Sequence, residues 1–154
     1  TLGRAMQWWR TGAIALGTGL STMVVTTTIA IAQSAADYRQ QGLDLRNQGR
    51  YPEAIAALQK AVDLEPQNLS GRVLLGWTQH KAGQATAATQ TLTTALHQNP
   101  FDVPTLNALG IVHLVNGQLE SAIATHTWAM LLQPKNEIAY YNLSLAFEQI
   151  RQYD

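Results

Sequence analysis

Residues 69–102 read LSGRVLLGWTQHKAGQATAATQTLTTALHQNPFD, and the 34 residues on either side repeat their punctuation. The preceding copy, residues 35–68, is AADYRQQGLDLRNQGRYPEAIAALQKAVDLEPQN; the following one, residues 103–136, is VPTLNALGIVHLVNGQLESAIATHTWAMLLQPKN. Gly42, Gly76 and Gly110 fall in one column, and Gly49, Gly83 and Gly117 in another. Ala54, Ala88 and Ala122 align, as do Ala61, Ala95 and Ala129, and then Pro66, Pro100 and Pro134. A period of 34 residues is that of stacked helical hairpins, none of which can bury its apolar face alone. Such stacks bind other proteins rather than transform substrates.

Spacing within one copy sets the two helices. Tyr38, Gln41, Gly42 and Leu45 recur at three and four residues, as do Ala54, Leu58 and Ala61. The Gly and Ala columns imply two helices crossing at close range, where a larger side chain would separate them. Each Pro ends a second helix and orients the next copy. A small residue in the middle of helix A, a Gly at the turn, an Ala early in helix B and a closing Pro resemble the tetratricopeptide repeat (TPR) family from Ala35 to Asp154.

The resemblance implies an all-α fold, a right-handed TPR solenoid of helical hairpins, and an N-terminal transmembrane helix is expected before it. Its divisions are a flank at 1–10, the anchor at 11–32, repeats at 35–68, 69–102 and 103–136, and the first helix of a fourth at 137–154. In that fourth helix Ser144 takes the Gly76 and Gly110 column and remains small. No second helix follows it, and the chain opens on Thr1. A native protein extending through the rest of repeat four, or a partner covering that end, is therefore expected.

Thr11 to Ala32 contains no Asp, Glu, Lys, Arg or His. As a helix its length is about 33 Å, enough for a hydrocarbon core of roughly 30 Å. Trp8, Trp9, Arg4 and Arg10 precede it as interfacial anchors do. Ala30-Ile31-Ala32 also has the form of a signal-peptidase site, so a cleaved secretory signal on a soluble periplasmic adaptor is the alternative. Ala13, Gly17 and Ser21 would share one face of the helix, with Thr18 and Thr22 beside it, a pattern that lets transmembrane helices approach closely. Arg10 abuts the span while Arg39 lies well beyond it, which places the repeats outside the cytoplasm, in a periplasm or thylakoid lumen. The cytoplasmic side is the alternative.

Charge and composition exclude several classes. The repeat region carries eight basic and ten acidic residues, too balanced for a nucleic-acid footprint. There is no Cys, hence no disulfide, thiolate metal site or thiol nucleophile. No P-loop, Gly-x-Ser-x-Gly elbow, HExxH or paired-carboxylate helix occurs, so no enzymatic activity, cofactor or small-molecule substrate is expected. His113 and His126 should lie inside repeat three as a hydrogen-bonded core pair. A metal site there is the remote alternative, for no third ligand falls at ligand spacing.

In TPR proteins helix A lines the concave face, and ligand segments commonly lie along it. Here the inward columns read Arg39, Val73, Asn107, Tyr141 and Leu43, Trp77, Ile111, Leu145, with Arg46, His80, Leu114 and Glu148 one turn further on. The expected groove comprises Leu43, Val73, Trp77, Asn107, Ile111, Leu114, Tyr141 and Leu145, with Trp77 as its hot spot. The bland reading of Trp77 is packing between repeats. Chaperone-docking TPRs clamp a carboxylate with Lys, Arg and Asn at set positions. This chain keeps Arg39 but has Leu43, Leu74, Pro104 and Ala108 at the others, so an apolar or helical partner segment is expected instead.

Helix B of repeat two carries Thr86, Thr89, Thr91, Thr93 and Thr94, whose β-branching weakens a helix, so its neighbours must hold it. Low Lys content with abundant Gln, Thr and Ala is similar to cyanobacterial TPR proteins, including membrane-anchored photosystem assembly factors. The combined expectation is a membrane-anchored scaffold or assembly factor whose partners are subunits of a membrane complex, photosynthetic by that resemblance.

Overall fold

A computed structural model describes residues 34–153. These form seven helices: α1 (Ala35–Asn47), α2 (Tyr51–Leu64), α3 (Leu69–Lys81), α4 (Ala85–Gln98), α5 (Val103–Val115), α6 (Leu119–Leu132) and α7 (Glu137–Tyr153). Three antiparallel-type hairpins, α1–α2, α3–α4 and α5–α6, follow one another, and α7 packs on the last. The first helices also line up directly, α3 against α5 and α5 against α7. Among the described residues no helix is long and apolar enough to cross a membrane. The expected span at 11–32, with Ala13, Gly17, Thr18, Ser21 and Thr22, lies outside the described residues.

The 34-residue period extends to the caps. Ser34 accepts from Asp37 N in a capping box, Asn68 accepts from Gly71 N, Asp102 from Thr105 N and Asn136 from Ala139 N. Every first helix therefore starts on a side-chain cap that satisfies one of its free N–H groups. The second helices, opening at Arg50, Gln84 and Gln118, have none. They are positioned instead by the turns before them. Gly49, Gly83 and Gly117 have φ of 75°, 76° and 71°, and the N–H groups of Arg50, Gln84 and Gln118 reach back to Leu45, Gln79 and His113 carbonyls. That is a Schellman closure, which needs the left-handed region that glycine adopts without penalty.

Close approach explains the other glycine column. A Cβ on Gly42 would stand 2.5 Å from Leu58 Cγ, and one on Gly76 2.7 Å from Leu92 Cγ. Each hairpin thus seats one large side chain of its second helix directly on the backbone of its first. Ala54, Ala88 and Ala122, fully buried, let the helices cross at that distance. The cores continue between hairpins, as where Leu58 and Val62 meet Leu75. In α4, Thr89 and Thr94 donate their hydroxyls to the carbonyls of Ala85 and Gln90, one turn earlier in the helix.

Candidate functional site

Trp77 sits in the middle of α3, four residues before its end. It is half-buried, and its inner edge packs with Val73 on Ala88, Leu92, Ala108, Leu109 and Val112. Its remaining surface walls two cavities. One, about 240 Å³, is bounded by Ser70, Val73, Leu74, Trp77, Asp102 and Pro104, where α3 faces the start of α5. The other, about 430 Å³, is bounded by Arg46, Tyr51, Trp77 and Lys81, where the end of α1 faces the end of α3. One ring thus packs on the core along one edge and walls the two cavities along the other.

His80 stands edge-on to Trp77, with ring centroids 5.8 Å apart and planes at 66°. Burial lowers the His80 pKa, and the Lys81 charge lowers it further. At neutral pH this ring is therefore an uncharged brace for the indole.

The other expected groove residues separate into distinct environments. Leu43 and Ile111 are half-buried and Tyr141 is exposed. Leu145 packs against a core of Leu114, Ala122 and Ala146. Leu114 is 6% exposed, so it belongs to that core and offers no surface to a partner. Asn107 is tied to Asn136 by two side-chain hydrogen bonds of 3.3 and 2.9 Å, one in each direction, and its polar end is already occupied. The structure gathers Val73 and Trp77 with Leu74 and Pro104 into a cavity wall and leaves the remainder of the expected groove spread along the stack.

Two residues of the wider cavity escaped the column reading. Lys81 follows Trp77 by one helical turn, and Tyr51 opens α2 rather than lying on a first helix. The i, i+4 spacing from Trp77 signals Lys81 in the sequence; for Tyr51 no such signal exists.

The clamp positions are also accounted for. Arg39 Nη1 lies 2.5 Å from Glu65 Oε2. Bonds from Asn68 and Arg39 hold the Glu65 carboxyl below its ordinary pKa. Leu74 and Pro104 are cavity wall, and Ala108 is buried. Nothing in this set gathers cations around a terminal carboxylate.

His113 and His126 do not form the expected hydrogen-bonded pair. His126 is fully buried, and neither of its ring nitrogens has a hydrogen-bond partner among the described residues. His113 Nδ1 lies 2.7 Å from Gln118 Oε1, an acceptor, which selects the Nδ1–H tautomer. The reason is geometric: His126 occupies the Leu58 and Leu92 column, whose side chains lie on the glycine of their own hairpin. Among the described residues no three His, Asp or Glu side chains converge as metal ligands would.

Stacked hairpins with side-chain cavities along the first helices define a protein-interaction scaffold. Residues 45–110 match the tetratricopeptide repeat family. No curated protein sequence matches it significantly. Among solved structures, the first TPR of Spaghetti (RPAP3), bound to the HSP90 peptide SRMEEVD, is similar at 21% identity and a TM-score of 0.71. That likeness covers 78% of this chain and 95% of the other. The second TPR domain of human RPAP3, in complex with the HSP70 peptide SGPTIEEVD, matches at 20% identity and a TM-score of 0.67, over 73% and 93% of the two chains. YrrB, described as a TPR protein with an unusual peptide-binding site, matches at 19% identity and 0.66, over 71% of this chain and 56% of that one. At these identities the likeness is one of fold.

Proposed function

We propose that this protein is a membrane-anchored scaffold or assembly factor that binds a protein segment against the first-helix face around Trp77. The observation that carries the binding half is the indole standing between two open cavities, for aromatic anchors at concave sites dominate protein recognition. Peptide binding by structurally similar TPR domains supports it. The carboxylate-clamp mode is not the one proposed, because Arg39 is held by Glu65 and apolar residues stand at Leu43, Leu74, Pro104 and Ala108.

The anchoring half rests on sequence. Residues 11–32 are long, uncharged and flanked by Trp8, Trp9 and Arg10, and their small-residue face suits packing on other transmembrane helices. On this reading the partners are subunits of a membrane complex, and the repeats lie on its extracytoplasmic side. Compositional likeness to cyanobacterial TPR proteins makes a photosynthetic complex the first to try.

Trp77→Ala tests the two halves separately. Loss of a co-purifying partner, with membrane association retained, is the expected result. Unchanged co-purification would remove the face around Trp77 as the site, and release of the protein by alkaline washing of membranes would remove the anchor.

A further inference from the structure

The wider cavity beside Trp77 has a chemistry that the smaller one lacks. It is walled by two cations, Arg46 and Lys81, and two aromatic rings, Tyr51 and Trp77. The ion pairs among the described residues are Arg39 with Glu65 and Arg50 with Glu53, so Arg46 and Lys81 each lack a carboxylate partner there. Neither donates a side-chain hydrogen bond among the described residues. Both stand in the last turn of a helix, where C-terminal carbonyls favour a cation. That accounts for their sign but not for their meeting at one cavity from two different hairpins.

Across the indole the charge reverses. Asp102 borders the smaller cavity, whose wall is otherwise mostly apolar: Val73, Leu74, Trp77 and Pro104. Its carboxylate caps α5 and faces Thr105 N and Oγ1, so it repels an anion from this side without attracting a ligand cation strongly. The two cavities therefore sort a ligand's side chains by polarity, with Trp77 as the divider.

We propose that the segment bound at Trp77 carries an Asp or Glu close to a bulky apolar residue, the carboxylate entering between Arg46 and Lys81 and the apolar side chain entering against Val73, Leu74 and Pro104. This rests on the binding reading above and specifies its partner. In an extended segment, side chains two residues apart project to the same side about 7 Å from each other, a separation that straddles one indole. The acidic group is an internal side chain rather than a chain terminus, because the carboxylate-clamp positions are filled as described. Long-range attraction to two unpaired cations also speeds and orients the encounter.

The experiment selects random heptapeptides displayed on phage against the full chain in detergent, then measures the enriched peptides, fluorescein-labelled, by anisotropy. Expected are segments with Asp or Glu two residues from a large apolar residue, whose binding weakens about tenfold in the double variant R46Q/K81Q and loses its salt dependence. Replacing the peptide's own acid by its amide should cost the same factor on the wild-type protein and nothing further on the double variant. That arm needs no change to the fold. R46E/K81E should prefer the peptide with Lys in place of the acid. Peptides that need Trp77 but bind equally well as acid or amide overturn this proposal and leave the binding site standing. Failure to enrich any segment, or binding indifferent to Trp77→Ala, removes the site itself and the proposal with it.

Discussion

The imidazole of His126 lies directly on Gly110: a Cβ built on that glycine would stand 2.6 Å from both Cε1 and Nε2. Repeat three thus keeps the geometry of repeats one and two, where Leu58 covers Gly42 and Leu92 covers Gly76, but with a polar ring in an apolar seat. Replacing His126 by Leu should stabilise the stack by about 1–2 kcal/mol at pH 7, because two buried nitrogens without partners are removed and a side chain already used twice in this position returns. Chemical denaturation of both proteins at equal concentration measures it. A loss of stability would mean that the histidine has a partner in solution.

The same residue sets a pH dependence. Burial lowers the His126 pKa from 6.5, and the neighbouring charge of His113 lowers it further. The unfolded chain therefore takes up a proton that the folded chain resists, and the unfolded state gains as pH falls. The contribution of His126 is full above about pH 6.5 and is lost progressively below it until the buried ring protonates. His80, lowered mainly by burial, acts in the same direction. Thermal melts between pH 7.5 and 5 should show the wild type losing stability more steeply than His126→Leu, with the remaining slope reduced again by His80→Gln. Parallel slopes for wild type and His126→Leu would refute this.

The two glycine columns should respond differently to alanine. Gly76→Ala brings a Cβ within 2.7 Å of Leu92 Cγ, which is fixed in the core, so the roughly 1 kcal/mol that Ala gains over Gly in a helix is exceeded by overpacking of about 1–3 kcal/mol. Gly83→Ala meets no atom within 4 Å, and its cost comes from φ at 76°, about 1–2 kcal/mol. Gly83→Asn should recover part of that loss, since Asn tolerates this region, whereas Gly76→Asn should recover nothing. Equal recovery at both positions would show that space and backbone conformation were wrongly assigned.

These columns were legible in the sequence because they impose one geometry three times. A glycine under Leu58 at position 42 is a glycine under Leu92 at 76 by the same crossing, and period alone reveals it. The caps at Ser34, Asn68, Asp102 and Asn136 obey the same rule. The surface was less legible because it depends on what differs between repeats. Leu114 follows a first-helix column, yet Ala146 of α7 packs on it, and only the placement of a later helix decides that. Asn107 falls in a column expected to face inward, but its amide is claimed by Asn136, 29 residues away. Trp77 was recognisable as an aromatic in an apolar column; the cationic cavity beside it joins α1, α2 and α3, and no column within one repeat contains it.

The Asn107–Asn136 pair makes a final prediction about α7. Asn136 is 5% exposed, exchanges side-chain hydrogen bonds with Asn107 and caps α7 by accepting from Ala139 N at 3.2 Å. Asn136→Ala removes the cap, worth about 1 kcal/mol, and leaves a half-buried amide on Asn107 without its partner, worth about 1–3 kcal/mol more. In an array of repeats the loss is felt first by the element that the lost contact holds, so α7 should fray before α3 or α5. Hydrogen exchange followed peptide by peptide should show faster exchange at 137–153 and little change at 69–98. Asn136→Asp preserves the cap but not the donor to Asn107, and so should protect the first turn of α7 while leaving part of the loss. Uniformly faster exchange along the whole stack in Asn136→Ala would show instead that α7 unfolds only together with the hairpins beneath it.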